Sequence, residues 1–311
     1  MPILIVDPGQ HIDPNDIRKA YPEEVVRDAQ AAAGALDICA DCDVLVAMAH
    51  EITDELVGRM PKLRYICAMS AGTEHIDTLT SLEPDVRVTS ARGIHGPQMS
   101  ELAFLSMISL SREYPRMRRN QDRHVWERWP QKLIWGKTVV IVGIGPIAEE
   151  FAMRCGAFGL YVIGVSDARK DAPHFDRIVP RSQLKEAAAE ADFVVMLVPL
   201  SAQTRHMIDE GVLAAMKSTG ILINLARGPV VDEKALVKAL QDGGIGGAAL
   251  DVFESEPLPD HSPLWDMPNV IVTPRVGGMS DVYREQVLPL VLYNLRSYLD
   301  GRLDDFRNIV R

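Results

Sequence analysis

"GKTVVIVGIGPIAEEFAMRCGAFGLYVIGVSDARK", residues 136–170, is the stretch that decides the fold. An apolar run at 138–142 meets Gly143, Gly145 and Ala148 in a G-x-G-x-x-A. A helical stretch follows and leads to a second apolar run at 161–165. In such a unit the first glycine permits a tight turn, and the second lets backbone come against a pyrophosphate. The small third residue lets helix and strand pack closely. Backbone N–H groups at the helix start then face the anion. The spacing predicts a dinucleotide-binding βαβ unit; a glycine turn needed only for packing is the plainer alternative.

The second strand should end in a group that reads the adenosine ribose. An acid there accepts from the 2′-hydroxyl of NAD, whereas Arg or Lys accommodates the 2′-phosphate of NADP. Here Ser166 stands where the acid is expected, with Arg169 and Lys170 three and four residues on. That favours NADP. Asp167, one residue late, keeps NAD as the alternative, and both cations also read simply as decoration of an exposed loop.

Outward from this unit, short apolar runs alternate with helical patterns. Strand candidates precede it at 3–7, 43–48, 63–69 and 87–91, and follow it at 193–198, 221–226, 247–252 and 269–274. Continuous apolar strands separated by helices indicate parallel sheets covered on both faces. Right-handed crossovers then give doubly wound α/β folds. Two groups of strands imply two such domains. Between them, 100–120 carries Leu102, Leu105, Met107 and Ile108 at helical spacing. This helix is expected to bridge domains or form a dimer face. A last helix, 283–301, is expected to lead the chain back to the first domain.

The size of the chain, 311 residues, suits two domains better than one core. Its 47% hydrophobic and 24% charged content is ordinary for a globular protein. With 43 acidic and 33 basic residues, net charge −10, it lacks the basic footprint that nucleic-acid or anionic-membrane binding needs. No apolar run is long enough to span a bilayer, and "MPILIVDPGQ" lacks the features of a secretory leader. A cytoplasmic protein is expected. Cys39 and Cys42 form a CxxC without a second pair or a histidine cluster, which reads as structural and implies no metal.

Past the strand at 221–226 stands Arg227; Asp251 ends the strand at 247–252, and Glu256 follows in a proline-flanked loop. Carboxyl ends of parallel strands are where α/β enzymes bind ligands, so one cation and two carboxylates there look like a reaction site. The runs "NLARGPVVDEKAL" (224–236), "ALDVFESEP" (249–257) and "SPLWDMPNVIVTP" (262–274) carry a specific resemblance. The chain resembles the D-isomer-specific 2-hydroxyacid dehydrogenases along nearly its whole length, and the glyoxylate/hydroxypyruvate reductase branch in general style.

The resemblance implies a flavodoxin-like substrate-binding domain (1–100 and 281–311) and a Rossmann NAD(P)-binding domain (101–280). It also implies a homodimer, with the active site in the cleft between domains. Arg227 would bind the carboxylate and carbonyl of a 2-oxo acid, a task suited to a guanidinium fork. Backbone N–H groups of Ser70, Ala71 and Gly72 would hold the carboxylate's other side. Asp251 would orient the nicotinamide carboxamide, and Pro146 and Ile147 would lie along the pyrophosphate. Further cofactor contacts are expected at Pro199, Leu225, Ala226 and Gly277. The family often has a basic residue where Pro146 stands, so a loss of some phosphate affinity is expected.

In that family Glu256 would orient a catalytic histidine within "T-P-H-x-G/A-G/A". This chain reads "TPRVGG", with Arg275 in that place. An arginine side chain keeps its proton far above neutral pH, so giving it up at pH 7 costs roughly 8 kcal/mol. It is unsuited to general acid work but able to stabilise negative charge on oxygen. A purely structural Glu256–Arg275 clasp is the competing reading.

Three readings follow. The first is a working 2-oxo acid reductase in which Arg275 acts electrostatically and water or another group supplies the proton. His95, in "ARGIHGPQMSE", is a candidate donor, against the plainer reading of a loop histidine without chemistry. The second is a shifted substrate with an additional anionic group, or a reaction needing no proton. The third is a catalytically silent nucleotide-binding protein. The first leads because Arg227, Asp251, Glu256 and the cofactor turn are all present.

Overall fold

Runs of consecutive buried apolar residues build two parallel sheets, each covered on both faces. A computed structural model describes residues 1–311. The chain divides into two units, Met1–Ile94 with Ser280–Arg311, and His95–Met279.

In the first unit the chain runs through β1 (Pro2–Val6), α1 (Pro14–Ala20), β2 (Val25–Ala29), α2 (Ala32–Ala35) and β3 (Val44–Ala47). It continues with α3 (Asp54–Gly58), β4 (Tyr65–Ala68) and β5 (Arg87–Thr89). The sheet order is β2-β1-β3-β4-β5, every pair parallel.

The second unit holds α4 (Gly96–Ser111), α5 (Tyr114–Asp122), β6 (Thr138–Val142), α6 (Pro146–Ala157), β7 (Tyr161–Val165) and β8 (Arg177–Val179). It closes with α7 (Leu184–Glu190), β9 (Phe193–Met196), α8 (Glu210–Ala215), β10 (Ile221–Asn224), α9 (Glu233–Gln241), β11 (Gly247–Leu250) and β12 (Val270–Val272). Its order, β12-β11-β10-β9-β6-β7-β8, reverses direction between β6 and β9. Alternate residues feed two cores: Val140 and Val142 face one, Val139 and Ile141 the other.

The last helix, α10 (Tyr283–Leu299), returns the chain to the first unit. Tyr283, Val287, Val291 and Leu295 form a stripe at four-residue spacing, which packs with Ile3, Ile5 and Tyr65. The terminal residues run beside β5, with Val310 N donating to Val88 O at 2.8 Å.

Strands at 138–142 and 161–165 stand where the sequence puts them. The edge strands β2 and β8 are additions. Both are partly exposed and mix charged with apolar residues, so no continuous apolar run marks them. The single helix expected over 100–120 is a correction: it breaks at Glu113, in the left-handed region at φ 54, and Pro115 lies in the first turn of α5. The first crossing between units falls at 94/95 and not 100/101. α4 belongs to the second unit from its first turn, where Met99, Leu102 and Met107 join Phe151 and Ala152 in one core.

Candidate active site

The turn after β6 meets the geometric demands of a dinucleotide. Gly143 has φ 96, and a Cβ there would come within 2.9 Å of the Leu197 carbonyl; only glycine fits. Gly145 caps α6 in extended conformation, and a Cβ built on it meets nothing within 4 Å. That open space beside bare backbone is a cradle a side chain would fill. Ala148 is buried against the sheet. Pro146 brings no N–H, so the first-turn donors are Ile147 and Ala148. The residues present therefore fit a dinucleotide pyrophosphate.

At the end of β7 the Ser166 hydroxyl accepts from Arg169 N at 3.1 Å. Asp167 is engaged by Arg181, whose N donates to Oδ1 at 2.8 Å and whose guanidinium binds Oδ2. These bonds hold the Asp167 carboxyl below the usual range. Arg169 pairs with Glu149 at 2.9 Å, on the first turn of α6, and Lys170 is exposed. Pro199 lies past β9, its carbonyl accepting from the Thr204 hydroxyl at 2.7 Å.

β10, β11 and β12 are neighbours, so Arg227, Asp251 and Arg275 stand over one carboxyl edge of the sheet. Leu225 and Ala226 are buried below Arg227, whose NH1 donates to the Ala226 carbonyl at 2.7 Å. A Cβ at Gly228 would lie 1.8 Å from the Phe253 carbonyl oxygen, so glycine alone lets this turn lie on the next loop. In that loop Phe253 N donates to Glu256 Oε1 at 3.2 Å, and Arg275 NH1 reaches Glu256 Oε2 at 2.5 Å. The arginine and glutamate are thus in contact, with the Arg275 side chain 57% exposed.

Arg275 sits at φ 54, which costs a non-glycine residue about 1–3 kcal/mol. Asp251 holds this strained loop in place. Its buried carboxylate accepts from Thr273 Oγ1 at 2.6 Å, Val276 N at 2.9 Å and Gly277 N at 3.0 Å. A Cβ at Gly277 would meet both that carboxylate and Leu102 at 2.9 Å. A carboxylate offers about four acceptor sites, so roughly one is left for an outside donor.

His95 caps α4 beside Gly278, 3.3 Å from where a Cβ would stand. Burial holds its imidazole down to about 4, so it is neutral at pH 7. A neutral ring has no imidazolium proton to transfer at that pH. In the first unit Ser70, Ala71 and Gly72 follow β4; the Ser70 hydroxyl accepts from Ala49 N at 2.9 Å, and its carbonyl from Ala91 N at 3.0 Å. Cys39 and Cys42 are buried thiols of that unit's core.

Two imidazole–carboxylate pairs closer than 3 Å escape the sequence: Asp7–His11 at 2.6 Å and His206–Glu254 at 2.7 Å. The first lies within one turn, "DPGQH", whose glycine and proline mark a loop but not a dyad. The second joins residues 48 apart, beyond any local pattern.

Known proteins share this sequence pattern and fold. Residues 104–277 match the model described as "D-isomer specific 2-hydroxyacid dehydrogenase, NAD binding domain". The chain is similar to a glyoxylate reductase of Pyrococcus horikoshii, 35% identical over 273 residues, 85% of this chain and 81% of the relative. A D-isomer specific 2-hydroxyacid dehydrogenase family protein from Aeromonas salmonicida superposes with TM-score 0.91 at 29% identity, over 100% of this chain and 98% of the other. An NADPH-dependent glyoxylate/hydroxypyruvate reductase from Sinorhizobium meliloti, solved with NADP and sulfate, superposes with TM-score 0.84 at 27% identity, over 99% and 98% of the two chains.

Proposed function

The chain belongs to the D-isomer specific 2-hydroxyacid dehydrogenase family, and from that premise we propose that it is an NADP(H)-dependent 2-oxo acid reductase. Small acids such as glyoxylate or hydroxypyruvate are its substrate class, with the 2-hydroxy acid as product. The observation that carries this reading is the ordered carboxyl edge of β10–β12, where Arg227, Asp251 and the Glu256 loop follow strands of the sheet that also carries the dinucleotide turn. When bound, the reduced nicotinamide supplies hydride for the carbonyl carbon.

Arg227 grips the substrate carboxylate through its fork, and the amides of Ser70, Ala71 and Gly72 are further donors for it. The acceptor site left on Asp251 takes a carboxamide N–H. Glu256 fixes the Arg275 guanidinium, which stabilises the oxygen as it turns negative. Water or a further side chain supplies the proton. The remaining Arg275 nitrogens, Nε and NH2, favour a second reading in which a doubly anionic 2-oxo acid is preferred.

NADP is the preferred cofactor on this reading, supported by Ser166 in the acid's place, by Arg169 and Lys170 nearby, and by Asp167 being engaged with Arg181. NAD is the alternative. A homodimer is supported by exposed large apolar side chains: Leu105 and Ile108 on α4, and Trp126 at 92% and Trp135 at 72% exposure in the segment that follows α5. No helix is long and apolar enough to cross a membrane. Four unbridged cysteines support a reducing, cytoplasmic compartment.

The activity is tested by oxidation of NADPH and NADH against a panel of 2-oxo acids. Higher kcat/KM with NADPH is expected, and strong NADH preference overturns the cofactor assignment. Light scattering at micromolar concentration tests the dimer; a monomer overturns it.

A further inference from the structure

The end of β7 carries a cation that comes from the neighbouring strand. β7 and β8 run parallel with Val165 opposite Val179, and each strand stops there. Two residues beyond each end stand Asp167 and Arg181. Neighbouring strands lie about 4.8 Å apart, so the register itself brings these side chains together. Arg181 opens a single 3₁₀ turn (Arg181–Gln183), where a first N–H has no partner within the turn. Asp167 Oδ1 accepts from that N–H at 2.8 Å, and Oδ2 accepts from Arg181 Nε. One carboxylate thus holds the arginine by backbone and side chain at once.

Nη1 and Nη2 of Arg181 bond no other residue, and 37% of the side chain is exposed. The other two cations past β7 are placed differently. Arg169 is closed on Glu149 at 2.9 Å, and its Nε donates to the Asp171 carbonyl at 3.3 Å. Lys170 is exposed and pairs with no carboxylate, a point charge on a flexible stem. Of the three, Arg181 alone combines a fixed stem with open donors. Beside them the Ser166 hydroxyl accepts from Arg169 N, which leaves its own O–H to donate.

Asp167 and Arg181 border a cavity of about 550 Å³ with Ser182, Lys185 and Gln203. Asp209 also borders it, its carboxylate capping α8 by accepting from Val212 N at 2.9 Å. A bare carboxylate at Asp167 would suit a ribose 2′-hydroxyl and repel a 2′-phosphate. With Arg181 across both its oxygens that charge is balanced, and the outermost groups are guanidinium N–H donors. Such a fork matches the oxygens of a phosphate monoester.

We propose that Arg181 sets cofactor choice, its guanidinium taking the 2′-phosphate that distinguishes NADP(H) from NAD(H), an inference that rests on the NADP(H) reading above. Asp167 is the residue that positions it. Removing the arginine does more than delete a donor, because it uncovers the Asp167 carboxylate beside the ribose position. NADPH is then disfavoured and NADH is not.

The test titrates full-length protein with NADPH and with NADH, following nicotinamide fluorescence, for wild type, R181A and R181A/D167N. Wild type is expected to bind NADPH more tightly. R181A is expected to lose about tenfold to a hundredfold in NADPH affinity, the worth of hydrogen bonds to a charged group, while NADH affinity holds or rises. R181A/D167N, which lacks the uncovered charge, is expected to regain part of the NADPH affinity. In wild type, NADPH but not NADH is expected to shield Arg181 from phenylglyoxal, read by peptide mass spectrometry; this decides the matter should R181A misfold. An R181A protein that keeps the wild-type preference, or loses both nucleotides equally as a purely structural clasp would, overturns the role of Arg181 alone. Equal modification of Arg181 under both nucleotides, in a wild type that prefers NADPH, does the same. A wild type that prefers NADH overturns the cofactor reading and this inference with it.

Discussion

Replacing Asp251 with Asn keeps its volume and removes its charge, which isolates the clamp on the arginine loop. In the native structure three donors converge on the buried carboxylate, from Thr273, Val276 and Gly277. An asparagine oriented to accept from Thr273 and Val276 points its NH2 at the Gly277 N–H, donor against donor. One charge-assisted bond is lost and two become neutral, at about 3 kcal/mol in sum. For a unit of this size that is a fall in Tm of roughly 6–12 °C. The loop also carries Arg275 at a strained φ of 54, so loosening the clamp lowers kcat beyond the loss of stability. Scanning calorimetry with steady-state kinetics at a temperature where both proteins are folded gives the two readouts. A D251N protein melting within about 1 °C of wild type, with unchanged kcat, refutes the reasoning that the carboxylate holds this loop.

Gly145→Val fills the open cradle above the first turn of α6, where a Cβ meets nothing within 4 Å. NADPH affinity by fluorescence titration is expected to fall at least about tenfold, with stability changed by no more than about 1 kcal/mol; unchanged affinity removes the cradle assignment. His95 is held down to about 4 by burial, below the ordinary 6.5, so the unfolded chain binds a proton between those values that the folded chain does not. Stability is intact above pH 6.5 and is lost as pH falls toward 4. Between pH 7 and 5 wild type is expected to lose about 2 kcal/mol more than H95Q in urea unfolding; parallel losses contradict the shift. Arg275→His places a titratable acid on Glu256, and kcat for glyoxylate or hydroxypyruvate is expected to rise. A fall means that arginine suits this enzyme's own substrate.

How much of this was legible in the sequence depends on the range of the interactions. Buried parallel strands announce themselves by continuous apolar runs, and the turn at Gly143–Gly145 by its local geometry, so both were readable. β2 and β8 were not, because an edge strand mixes polar with apolar residues and its partners are distant in sequence. The helix over 100–120 misled because Leu102 to Ile108 continues a helical pattern toward Pro115, while the break is set by one left-handed residue, Glu113. The contact of Arg275 with Glu256 followed from the resemblance. By contrast, the burial that neutralises His95 is tertiary, and the pairing of Asp167 with Arg181 depends on the register of β7 with β8. No motif encodes those.

The central claim is that this site reduces 2-oxo acids although residue 275 cannot donate a proton. Its most direct test is NADPH absorbance followed with purified protein and glyoxylate or hydroxypyruvate from pH 5 to 9. Multiple turnovers per site, with product 2-hydroxy acid equal to NADPH consumed, are the result the account predicts. Tight NADPH binding with no oxidation across the panel at any pH would contradict it.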